Sequence, residues 1–249
     1  MSRKPVTRDP RRPAEVDLRT IAPERLRDMA AAGLEAIECH RVLARTGANI
    51  VGELLRGVET FYEWNHYPAG DVHDDRSHAQ FYYHAHPQGL RGREHGHFHT
   101  FMRSRGMPPG TRPAPVPDLA LPEDEHDALS HLIGISMDDH GVPIRLFTTN
   151  RWVTGEVWYA GEDVRNMLDG FVIDHAQPSW PVNRWIGAML RLFRPQIESL
   201  IDARDAVVAA WRAAYPDRDV FEDRALEVTS VLNIDIDVQV ARTAAALEG

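Results

Sequence analysis

One cysteine, Cys39, stands in 249 residues. An internal disulfide is therefore excluded, as is any site assembled from several thiolates, such as a four-cysteine zinc site or an iron–sulfur cluster. No apolar run approaches the roughly 20 residues that a membrane-spanning helix needs. The N-terminus lacks the short apolar core of a secretory leader. Positive charge is in deficit, with 28 Lys and Arg against 37 Asp and Glu and a net charge of −9. A general nucleic-acid binder neutralises phosphates with a basic surplus, so that class is not expected. These absences lead to the expectation of a cytoplasmic protein with no nucleic-acid or membrane partner. The hydrophobic content of 43% suffices for a sizeable core, and the length suits one domain.

What the chain does have is histidine, 13 in all, of which eight fall between His66 and His99. Five form two alternating groups, His84-Ala85-His86 and His95-Gly96-His97-Phe98-His99. A β-strand sends residues i and i+2 to the same face, and neutral imidazole is a common metal ligand. The segment reads as a hairpin turning between Pro87 and Glu94. In the register that sets His86 opposite His95, His84 faces His97, Tyr82 faces His99, Gln80 faces Phe101 and His78 faces Arg103. The other face then pairs Ala85 with Gly96, Tyr83 with Phe98, Phe81 with Thr100 and Ala79 with Met102. That face is apolar, as a core face should be, whereas the first concentrates His, Gln and Tyr. A one-residue slip would destroy the sorting. Strands lie about 4.8 Å apart, so three imidazoles of such a patch can reach one ion at about 2.0–2.1 Å. His84, His86, His95, His97 and His99 are accordingly the candidate ligands.

The residues just upstream, from Trp64 to His78, contain Pro68 and Gly70 and read as a turn. Asp71, His73 and His78 would arrive near the first hairpin strand, with His66 close by. Two histidines and one carboxylate form the facial pattern of non-haem iron, and Asp71 and Glu94 are the carboxylates on offer. Tyr82 and Gln80 would line the substrate side. Acidic groups here also suit a supporting role, holding a ligand imidazole in place. A second polar group, from Asp174 to Trp185, contains His175 and reads as a Pro-bounded loop or the wall of a pocket.

The remaining pattern predicts an α+β fold, a small antiparallel sheet carrying the hairpin with helices before and after it. Residues 1–13 read as a disordered basic tail and 14–249 as a single domain. Helical spacing of apolar residues runs from Ala22 to Ala44, with a shorter helix near Asn49 to Arg56. Ser104 to Pro122 holds six prolines and reads as a long loop. Ser130–Met137 and Pro143–Thr149 read as strands around a turn at Asp138-Asp139-His140-Gly141. Thr154–Tyr159 reads as a further short strand, and a helix opens at Gly161. Pro181–Ala214 reads as two helices broken near Pro195. Val220–Leu232 and Ile234–Leu247 read as the last helices, although residues 233–237 also alternate as a strand would.

The runs HYPAGDVHDDRSHAQFYYHAH, EHGHFHTF and WPVNRWIGAMLRLFRPQIE resemble a bacterial family of unknown function with a His-rich core. That resemblance covers most of the chain and implies no activity. A second similarity is to cupins, whose metal motif joins an HxH to a Glu and later a PxGxxH. His84, His86 and Glu94 are similar to the first part, and Pro68, Gly70 and His73 to the second, in reversed order.

Three functions fit these readings. One is a metalloenzyme with a mononuclear or dinuclear site, acting on a small molecule. A divalent ion is the implied cofactor, iron or zinc first and manganese or copper as alternatives. Another is a non-catalytic metal-handling or sensor protein, and the third a haem protein.

Overall fold

In a computed structural model the chain is described over residues 9–87, 89–116 and 121–249. The N-terminal helix α1 spans Pro23–Ala44. Proline at its first position costs nothing there, because that N–H has no partner within a helix. Leu26, Met29, Gly33, Ala36 and Leu43 form its buried stripe. The short α2, Ile50–Leu54, starts at Asn49, whose side chain accepts the Gly52 N–H.

Six strands follow: β1 Tyr67–His73, β2 Ala79–Ala85, β3 Glu94–Arg103, β4 Leu129–Asp138, β5 Pro143–Thr149 and β6 Val228–Asn233. They form one antiparallel sheet in chain order, β1 to β6. The β2–β3 register pairs Ala79 with Met102, Gln80 with Phe101, Tyr82 with His99, His84 with His97 and Ala85 with Gly96. This is the register that the alternation predicts. It ends at Ala85, so His86 and His95 are not a strand pair.

After β5 come α3 (Arg151–Thr154), α4 (Gly161–Met167), α5 (Trp180–Leu192) and α6 (Arg194–Ala214), and α7 (Ile236–Glu248) closes the chain. The break between α5 and α6 falls where Pro195 forbids an internal helical hydrogen bond. One sheet face, with Phe81, Tyr83, Phe98, Met102, Ile133, Ile135 and Leu146, shares a single core with α5 and α6 residues such as Val182, Trp185, Met189 and Ile197. Trp185 meets Phe98 at 5.5 Å between ring centroids. Each such fully buried side chain contributes about 1.5–3 kcal/mol. Helix α1 packs outside on α5 and α7.

Several expectations change. The stretch read as a turn before the hairpin contains β1, bent by a bulge between Tyr67 and Val72. The stretch read as a helix over Val220–Leu232 is turns followed by β6. Its Thr229, Ser230 and Val231 lie along β5, as their mostly β-branched composition suits. Residues 156–160 form no strand, although the Val157 N–H still donates to the Leu129 carbonyl. In the Pro-rich loop, the Ala114 N–H donates to the Trp158 carbonyl, and residues 117–120 lie outside the described residues. So does most of the expected basic tail, residues 1–8, although the Arg11 carbonyl accepts the Val231 N–H.

Candidate metal centre

The second sheet face carries the histidines. It is not a wet surface, for His97, His99, Phe101, His131, Ser136 and Phe147 are all buried there. The loop between β2 and β3 reaches over it, and Arg91 forms an ion pair with Glu227, just before β6.

His84, His97 and His99 each direct one imidazole nitrogen into a common space, all within 4.8 Å of one another. A tetrahedral ion at about 2.0–2.1 Å from its ligands separates them by about 3.3 Å, so the cluster has ligand dimensions. His84 Nε2 and His97 Nε2 lie 2.7 Å apart, close enough to share one proton. Two of the three rings are fixed from behind. His97 Nδ1 donates to Glu94 Oε1 at 2.7 Å, since a carboxylate can only accept. That bond leaves His97 Nε2 with a lone pair facing the cluster. His99 Nδ1 is 2.9 Å from His131 Nε2. The remaining nitrogen of His99, Nε2, is buried without a partner. Such an orphaned polar atom costs about 1–3 kcal/mol, which a ligand in the common space would recover.

The electrostatics agree. Burial, with the neighbouring His97 and His86, pushes the His84 imidazole down to about 2. Burial likewise holds His97 and His99 well below the ordinary histidine value, with Arg91 acting in the same direction. All three are therefore neutral near pH 7, the form in which imidazole binds metal.

The other sequence candidates are placed separately. His86 lies beside the cluster, with ring centroids 4.9 Å from His84 and 5.1 Å from His97, and both its nitrogens are buried without partners. His95 points elsewhere: its Nδ1 meets the Tyr83 hydroxyl at 2.6 Å, on the core side of the sheet. The cause is the bulge between Glu94 and Gly96, which turns Glu94 inward and His95 outward.

At the open margin, His66 stacks on Tyr82 at 3.6 Å between centroids, and its ring lies 6.0 Å from that of His84. Its Nδ1 donates to Asp71 Oδ1 at 3.0 Å, and Asp71 Oδ2 accepts the Gln80 amide at 2.7 Å. Asp71 holds a left-handed φ of 59°, an uncommon conformation for a residue other than glycine. His73 and His78 belong to a separate cavity of about 420 Å³ that Arg103 and Asp127 also line. His175 sits in the loop before α5, where its carbonyl accepts the Asn183 amide, and it does not join the cluster.

Sequence reasoning missed His131 and Glu156. His131 reaches the His99 ring through a bulge in β4 opposite Thr100 and Phe101, and a bulge has no sequence signature. Glu156 is buried, and its Oε2 accepts the His131 backbone N–H at 2.7 Å. Burial raises its carboxyl to about 8 against the opposing pull of Arg204.

A family model described as a domain of unknown function, DUF6969, matches residues 30–234. No curated protein matches, and no solved structure matches. The similarity to cupins thus finds no counterpart, and the meander is a single sheet among the described residues, without the second sheet of a jelly roll. No helix among the described residues is long and apolar enough to cross a membrane.

Proposed function

The chain belongs to this domain family of unknown function, and within it we propose a metalloenzyme whose His84, His97 and His99 hold one divalent ion, zinc or iron first. The observation that carries this reading is the convergence of three neutral imidazoles, one with an orphaned buried nitrogen. Catalytic sites pair three protein ligands with one open position, whereas structural sites close all four. The ligand set favours ions that accept imidazole, since no thiolate is near and Glu94 is engaged behind His97. When bound, such an ion supplies Lewis acidity and an acidified water.

The chain's own residues supply the rest. Glu94 and His131 hold two rings in the ligating tautomer. Phe101 and Phe147 exclude bulk water from the inner side. Half-buried His84 and exposed His66 mark the side from which a small molecule would approach. There the His66–Asp71 pair is placed to accept or give a proton, with Asp71 fixing the ring. A pure storage role fits less well, because two of the three ligands are buried rather than displayed.

The test is elemental analysis of protein purified without a histidine tag, then reloaded with zinc or Fe(II). About one ion per chain is expected, with none in His97→Ala. Failure of the wild type to retain either ion, or full retention by His84→Ala and His97→Ala alike, would refute the reading.

A further inference from the structure

A second site lies at the end of the sheet where β4 turns into β5 and β6 runs into α7. It is a cleft of about 840 Å³, the volume of a small-molecule site. Its walls are apolar, from Ile37 of α1, Val142 and Ile144 beside and within β5, and Ile234 and Ile236 at the start of α7. Three guanidinium groups, those of Arg91, Arg93 and Arg145, border the same space. His40 also lines it, with Nε2 buried and unpartnered.

We propose that this cleft binds a small amphipathic organic acid, its apolar body against the isoleucines and its single carboxylate on Arg145 and Arg93. The proposal does not rest on the metal reading, although Arg145 also pairs with the Glu94 that holds His97. Arg145 and Arg93 are loosely held donors, since each makes an ion pair too long to be a hydrogen bond. Arg145 is 3.6 Å from Glu94 Oε2, beyond hydrogen-bond length, and Arg93 is 4.0 Å from Asp138 Oδ2. Arg91, by contrast, is taken by Glu227.

The acids of the rim are largely committed. Asp138 Oδ1 accepts the backbone N–H groups of His140 and Val142, and Asp235 Oδ1 accepts that of Val238 at the head of α7. A planar guanidinium matches a carboxylate in two parallel hydrogen bonds. The charges of Asp138, Asp235 and Asp237 around the same rim oppose a dianion such as phosphate more strongly than a monoanion. The isoleucine walls select against a bare polar anion, since they gain only from apolar surface taken out of water.

Calorimetric titration of the full chain with octanoate, octan-1-ol and inorganic phosphate tests this. Octanoate should bind at least about tenfold more tightly than octan-1-ol, the order of one charge-assisted hydrogen bond, and phosphate more weakly than either. Arg145→Gln should weaken octanoate about tenfold and leave octan-1-ol unchanged. Arg93→Gln, at a side chain 85% exposed and thus harmless to folding, should act in the same direction. Absence of octanoate binding, equal affinity for acid and alcohol, a preference for phosphate, or indifference to both substitutions would overturn the proposal. Metal content measured on the same samples keeps this outcome separate from that of the histidine cluster.

Discussion

Lowering the pH should destabilise the metal-free protein, and part of the loss can be worked from four buried imidazoles and one buried carboxyl. His84, His97, His99 and His131 are all held neutral by burial; His84 lies at about 2 and His131 at about 3. In the unfolded chain each titrates near ~6.5. Below that value the unfolded state takes up protons that the folded state refuses, so stability falls as pH falls. Between about pH 7.5 and 5.5 each imidazole contributes a loss of about 1.4 kcal/mol, or about 5 kcal/mol for the four, with half-buried His84 giving the least.

Glu156 works the other way. Its folded value of about 8 lies above the unfolded 4.5, so the folded state binds the extra proton and gains stability as pH falls. Over the same window that gain is about 2.5 kcal/mol. The net loss from these five groups is about 3 kcal/mol, to which His86 and His40, also lowered by burial, add in the same direction. Urea unfolding of chelator-treated protein, followed by tryptophan fluorescence at the two pH values, measures it. Glu156→Gln removes the opposing gain, so its loss should be the steeper by about 2.5 kcal/mol. Equal or greater stability at the lower pH in the wild type would refute the assignment of four buried neutral imidazoles.

Two further outcomes follow from the same geometry. Glu94→Gln should weaken zinc binding about 10–100-fold in chelator competition while the chain stays folded, because the His97 ring loses its charged anchor; unchanged affinity would remove Glu94 from the site. Gly134→Ala should cost about 1–3 kcal/mol in urea unfolding, since a Cβ there would strike the Phe147 ring that closes the histidine face; a neutral effect would mean that Phe147 is free to move.

The hairpin was readable from sequence because its two faces differ in chemistry at every step from Ala79 to Ala85 and from Gly96 to Met102, and only one register preserves that contrast. The helices α1, α5 and α6 were readable from periodicity and proline placement, to within one residue at the starts of α1 and α5. Most of what escaped had no pattern to betray it. The bulge at Glu94–Gly96 inverts two side chains without altering the alternation of letters, so Glu94 and His95 exchanged places relative to the expected face. His131 looked isolated because its partner is set by a second bulge, in a strand 32 residues away from His99. By contrast, residues 228–231 are Val-Thr-Ser-Val, a mostly β-branched run that favours a strand, and they pair with β5. The metal-like geometry was thus anticipated in kind, while its membership depends on bulges and tertiary pairing.

The meander also sets an order of events. His84, His97 and His99 emerge together during synthesis, on a hairpin complete by residue 103. A lone two-stranded hairpin is marginal in water, and the core that its apolar side joins includes Trp185 of α5, roughly eighty residues later. The nascent chain therefore displays the three imidazoles long before it can fix their spacing. On the metal reading, loading would be a late step, after the ribosome has delivered α5. A chain stalled or cut before residue 180 would keep its histidines and lose the site.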